Sequence, residues 1–195
     1  MDVRIQPGIP PRVHRGWRGL VLGLACATVG SCVDGRPLEV RYLGRAEACV
    51  PYMEWPADET SLEETSVEVL NLRRGLGTSC GDASGNRPAL ESSPELRCAA
   101  RMLARDMAER GRVSALDGAG NDAAARAELA GAEQLVLGEL RARAFDSVDA
   151  ALDAWGEAPE TCALLDDPSA VSVGVGTFSI SAQDPLYWVM ILGRP

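Results

Sequence analysis

Lysine is absent from this 195-residue chain and histidine occurs once: all 19 basic residues are arginine, set against 28 acidic ones for a net charge of -9. The acidic excess argues against a nucleic-acid partner, because affinity for phosphate backbones rests on neutralising them with Lys and Arg. Aromatic residues are also scarce, at 5%. No apolar run approaches the ~20 residues that a membrane-spanning helix needs. What is present describes an ordinary globular protein, 46% hydrophobic and 24% charged. The length suits one compact domain with appendages.

The lone imidazole, His14, lies in a segment that reads as an address. Arg4, Arg12, Arg15 and Arg18 face only Asp2, and Gly19 to Gly30 (GLVLGLACATVG) follows as an apolar run ending in small residues. That is the pattern of a secretory signal peptide. Val29-Gly30-Ser31-Cys32 then resembles the bacterial lipobox, in which cleavage before the cysteine exposes it for acylation. Cleavage before Cys26, after Gly23-Leu24-Ala25, would leave only a short apolar run. Cys32 is therefore the expected lipidation site, with a plain signal peptide or an uncleaved anchor as alternatives. Two or more acyl chains hold durably where one does not, so the expected partner is a lipid bilayer. The expected location is the cell envelope, on its periplasmic or surface face. The expected organisation is a signal peptide over 1–31, a tether over 32–60 and a folded domain over 61–195.

Export agrees with the remaining cysteines. Cys49, Cys80, Cys98 and Cys162 are an even set in a compartment where disulfides persist. Four cysteines allow three pairings, and their spacing chooses none; four free thiols are the alternative. No Cys-x-x-Cys pair or histidine supports a zinc site.

Residues 33–60 carry Pro37, Pro51 and Pro56, with Tyr42, Tyr52 and Trp55, and show no periodicity beyond some expected structure near Cys49. From Ser61 the pattern is helical, with Glu63, Glu64 and Glu68 early, Arg73 and Arg74 late, and Gly75 and Gly77 to end it. A second helix is marked by Ser93 as N-cap, Pro94 at the first position, a stripe of Leu96, Ala99, Ala100, Leu103 and Met107, and Gly111 as its stop. A third begins near Asp146 and must finish before Pro159. Between the last two, Asp117 to Asp122 (DGAGND) is a plain turn rather than a calcium loop, since glycine stands where alternate ligands belong. Val171, Val173 and Val175 alternate with small residues as a strand. Gly174-Val175-Gly176 lies inside it and opens no helix, so it is no phosphate loop. Tyr187 to Leu192 (YWVMIL) reads as an inner strand, antiparallel to the first across Gln183-Asp184-Pro185. Helices first and a hairpin last predict an α+β layered domain.

The order of several segments resembles the bacterial SCP-like branch of the CAP superfamily, the cysteine-rich secretory, antigen 5 and pathogenesis-related proteins. They are VEVLNLRR (67–74), TSCG (78–81), LRCAARMLARDM (96–107), Glu133-Gln134, WGEAPETCALLDDP (155–168), VGVG (173–176) and YWVMILG (187–193). The resemblance implies a three-layer α-β-α sandwich with an antiparallel sheet and a cleft on one side. Departures matter as much. The family's cleft histidines fall on Ala115 and Thr161, and a further one on Leu103. Its W-x-x-S-P-G-H-x-x-N segment keeps Trp155 and Pro159 but has Ala158 for serine and Leu164 for asparagine. Of its G-E-N motif, aligned on Ala132-Glu133-Gln134, only the glutamate remains. The resemblance further implies a Cys80–Cys162 disulfide, which leaves Cys49 with Cys98 to pin the tether to the second helix.

Once the leader is removed, a chain without imidazole runs no Ser-His-Asp or Cys-His mechanism and builds no two-histidine metal site. Carboxylate pairs such as Glu133 with Glu157 or Glu160 remain conceivable as acid and base, but a chain this acidic produces them by chance. Trp155 is expected in the core, and Glu133 is either a relic or a cap for a backbone group. The expectation is a membrane-anchored, non-catalytic binding domain without cofactor or metal, whose residual cleft of Glu133, Gln134, Ala115, Thr161 and Trp155 accepts an apolar ligand or an envelope partner. A carboxylate hydrolase and a purely structural lipoprotein are the alternatives.

Overall fold

The computed structural model describes residues 43–79 and 85–195. The leader, its cleavage site, the lipidation candidate Cys32 and the cysteine Cys80 lie outside the described residues. Among those described, no helix is long and apolar enough to cross a membrane.

The helix with the strongest local signals forms the spine. In α2 (Pro94–Arg110) the Ser93 hydroxyl accepts from the Leu96 N–H at 3.2 Å, and Gly111 closes the helix at φ 68°. A left-handed terminus of that kind favours glycine. The stripe Leu96, Ala99, Ala100, Leu103 and Met107 is wholly buried and lies on a four-stranded sheet. Its strands are β1 (Glu91–Ser92), β2 (Leu135–Arg143), β3 (Ser172–Phe178) and β4 (Tyr187–Arg194), in the order β1-β3-β4-β2. The β3–β4 hairpin pairs antiparallel, as expected, with Phe178 opposite Tyr187. The sheet as a whole is mixed rather than purely antiparallel: β1 runs parallel to β3, with Glu91 beside Ser172. The chain joins the sheet edge there just before turning into α2. Asn71 on α1 (Ala57–Leu76) fixes that entry by donating to the Leu90 carbonyl at 3.0 Å and accepting from its N–H at 2.7 Å. A long crossover separates β1 from β3, as parallel neighbours require.

Two apolar clusters flank the sheet and make the three layers. One joins α2, α3 (Ala123–Leu129) and Tyr187, Val189 and Ile191 of β4. The other joins α1, α4 (Val148–Glu157) and α5 (Pro159–Leu165) to Val173, Val175, Trp188, Met190 and Leu192. On β3 the glycines face α2. A Cβ on Gly174 would lie 2.1 Å from the Leu96 carbonyl carbon, and one on Gly176 2.4 Å from that of Ala100. Only glycine lets helix and strand approach so closely.

Helix α1 differs from expectation at its start, and α3, α5 and β2 were not expected. Helix α1 starts at Ala57 rather than Ser61, because Asp58 and Glu59 already load its first turn, and Gly75 is carried inside it with Gly77 as the αL stop. Pro159 ends α4 but also opens α5, where its missing N–H costs nothing. The stretch expected as a tether with some structure near Cys49 has that structure. Leu43 and Cys49 are buried, Glu47–Tyr52 forms a 3-10 helix, and the Trp55 indole donates to the Thr177 carbonyl at 2.9 Å. The Cys49–Cys98 disulfide ties this stretch to α2. Cys162 is disulfide-bonded too.

Candidate functional site

Three of the positions singled out by resemblance, Ala115, Trp155 and Thr161, are joined by a chain of hydrogen bonds that runs through Arg126, Glu139 and Arg141. On β2, Leu140 and Ala142 enter the apolar cluster with Trp155, so the alternation of a strand turns Glu139 and Arg141 to the opposite face. There Glu139, its side chain 4% exposed, meets the fully buried Arg126 of α3. One Glu139 oxygen accepts from Arg126 Nη2, and the other accepts from Arg141 Nη1 at 2.8 Å. Arg126 Nη1 donates in turn to the carbonyls of Asn121 at 2.6 Å and Ala115 at 3.4 Å. In the other direction, the Trp155 indole donates to the Arg141 carbonyl at 3.1 Å, and the Thr161 hydroxyl donates to the Trp155 carbonyl. Thr161, Trp155, Arg141, Glu139, Arg126 and Ala115 thus form one connected series.

Two guanidiniums hold the one carboxylate at its centre. Such charge-assisted bonds engage both of its oxygens, and Arg126 Nε remains buried without a partner. At the two ends, where an imidazole would have presented a ring nitrogen, Ala115 contributes only its backbone oxygen and Thr161 a hydroxyl turned onto the carbonyls of Trp155 and Ala158.

Glu133, expected to be the surviving carboxylate, stands apart from this series. It is exposed on the loop before β2, beside a shallow depression that Arg45, Glu95 and Gln134 also line. The Gln134 amide oxygen is buried without a partner. Glu157 and Glu160 are exposed at the α4–α5 junction. Leu103 is core, and so is Trp155, at 5% exposure. Among the described residues no three His, Cys, Asp or Glu side chains gather as a metal site.

A better match to the Gly-Glu-Asn pattern was legible at Gly138-Glu139-Leu140, which keeps two of the three residues where Ala132-Glu133-Gln134 keeps one. Packing supports the glycine, since a Cβ on Gly138 would come within 2.7 Å of a Leu164 methyl. Leu140 and Leu164 stand where the family pattern has asparagines, and both join the apolar cluster.

A three-layer α-β-α domain with a parallel edge strand, in which a hydrogen-bonded series joins β2, α3 and the α4–α5 junction, defines a recognisable class of fold. Residues 67–192 match the Cysteine-rich secretory protein family, CAP, and the chain belongs to that family. Among solved structures it is similar to an extracellular protein containing a SCP domain from Bacillus anthracis, at a TM-score of 0.60 and 16% identity. That match covers 73% of this chain and 45% of the other, so the chain spans under half of that protein. It is also similar to an outer surface protein of Borrelia burgdorferi, at a TM-score of 0.57 and 14% identity over 71% of this chain and 93% of that one. At such identities the likeness speaks for the fold alone. No curated protein matches the sequence at a significant level.

Proposed function

We propose that this protein is an exported CAP domain that binds rather than catalyses, held to a membrane by an acylated Cys32. The observation that carries the reading is the closed state of the series around Glu139. Its carboxylate is taken up by Arg126 and Arg141, and Ala115 and Thr161 supply no titrating group at its ends. A general base needs a free lone pair and a pKa near the working pH, and neither end offers one. The carboxylate alternative is weakened by the exposure of Glu133, Glu157 and Glu160, because an acid kept protonated at neutral pH needs burial. Export is supported by the leader pattern, by the disulfides and by the extracellular and outer-surface character of the similar solved proteins.

Mass spectrometry of the protein purified from its native membrane tests the anchoring half: a mature terminus at acylated Cys32 is expected, and an intact Met1 overturns it. For the catalytic half, the purified protein is incubated with peptidoglycan and with peptide substrates. No turnover above background is expected, and turnover that disappears in Glu139→Gln overturns the reading.

A further inference from the structure

A groove of 820 Å³ opens at one end of the sheet, where the first turn of α1, the β2–α4 corner and the β3–β4 loop come together. It shares no residue with the series around Glu139. Its walls carry apolar side chains, among them Phe145, Leu186 and Ile180, the last 60% exposed. Its rim carries Asp58, Asp146 and Asp184, all exposed.

The informative residue is Glu59. It lines the groove, is 9% exposed, and receives one hydroxyl hydrogen bond, from Ser179 at 3.1 Å. Every other carboxylate so deeply placed among the described residues has a guanidinium. Glu63 has Arg101 at 2.5 Å, Asp166 has Arg87 at 2.9 Å, and Glu139 has Arg126. Glu59 has none in the same set. The α1 amino terminus favours negative charge there but supplies no counter-ion. The one arginine of the groove, Arg143, lies instead over the Tyr187 ring at 5.4 Å. A carboxylate this buried, lining a cavity and paired with no guanidinium, is a site that a ligand's cation completes.

We propose that this groove binds a linear aliphatic polyamine. One ammonium pairs with Glu59, the methylene chain lies on Phe145, Leu186 and Ile180, and a second ammonium meets the Asp146 and Asp184 rim. A divalent metal suits the place poorly, since Ca²⁺ and Mg²⁺ demand six or more clustered oxygens and no such cluster exists among the described residues. An ammonium needs only a few acceptors and tolerates an apolar stem beside it.

Isothermal titration of the purified protein with spermidine, hexylamine and MgCl₂ tests this. Expected are saturable spermidine binding, weaker hexylamine binding, and no displacement of spermidine by Mg²⁺ at equal ionic strength. Glu59→Gln, which keeps the shape and the Ser179 contact, should weaken spermidine binding about tenfold or more, as loss of a charge-assisted bond implies. Asp184→Asn on the exposed rim should weaken it less and leave the thermal midpoint unchanged, which separates lost binding from lost folding. Absent binding, equal affinity in both variants, or displacement by Mg²⁺ as expected for diffuse screening of an acidic surface each overturns the proposal.

Discussion

Buried arginines carry much of the polar architecture, and each finds a different set of partners. Arg74 is fully buried and donates to the carbonyls of Pro88, Leu165 and Asp167 at 3.2, 2.6 and 3.2 Å, tying α1 to the 85–90 segment and to the end of α5. Both Arg73 and Arg74 stand in the last turn of α1, as expected, and Arg73 also bridges to Asp149 and Asp153 of α4. Arg101 lies over the Trp55 ring at 5.0 Å, donates to the Tyr52 carbonyl and meets Glu63 through two of its nitrogens. Burial pushes the Glu63 carboxyl above its ordinary value, while Arg101 and the Thr177 N–H pull it back. Removing one partner strands the other charge in a dry interior. Glu63→Gln is therefore expected to cost about 3–5 kcal/mol of unfolding free energy, whereas the pair Glu63→Leu with Arg101→Met should cost clearly less than the sum of its single changes. Urea unfolding of the four proteins measures both.

At the scale of elements, what was legible had its signals beside it in the chain. Ser93, Pro94 and Gly111 bound α2 from its own two ends, and the valine alternation of β3 with its glycines declared both a strand and a close neighbour. Helix α3 was missed because its cap, Asp122, was read as the end of a turn, although it accepts from the Ala125 N–H at 2.9 Å. Strand β2 was missed because its pattern is set by distant partners. Glu139 faces inward only because Arg126 waits there, and the register of β2 against β4 shifts between Val136 and Gly138. The candidate site was hidden for the same reason: resemblance found its ends, Ala115 and Thr161, but the ion pairs between them join α3 to β2 and leave no local pattern. Glycine positions give the element-scale test. In Gly174→Ala the new methyl meets backbone of α2 rather than a yielding side chain, so α2 must lift from β3. A loss of about 1–3 kcal/mol or more is expected. At Gly75, inside α1 with open space around it, the same change should be neutral or stabilising by up to about 1 kcal/mol. Thermal unfolding of the two variants should move in opposite directions.

At the scale of the whole domain, the disulfide and the Trp55–Thr177 bond tie the first described residues to α2 and β3. The chain separation between Cys49 and Cys98 is 49 residues, and both side chains are fully buried. Closing a loop of that length removes about 4 kcal/mol of unfolded-state entropy in the chain-entropy model. The Cys49→Ala, Cys98→Ala double variant should lose stability of that order, and the loss has a place. Without the bridge, the stretch from Leu43 to Trp55 keeps its packing on α2, the Arg101 contacts with Tyr52 and Trp55, the Trp55–Phe178 ring contact and the indole bond to Thr177. Hydrogen exchange should then show the N–H of Cys49, bonded to the Ala46 carbonyl at 3.0 Å, opening well before those of β3 and β4. If the bridge acted only on the unfolded chain, both sets would lose protection together, because global unfolding would be the shared route of exchange. An early and selective loss at residues 43–55 would show that the bridge also holds a weakly packed segment onto a sheet that is stable without it.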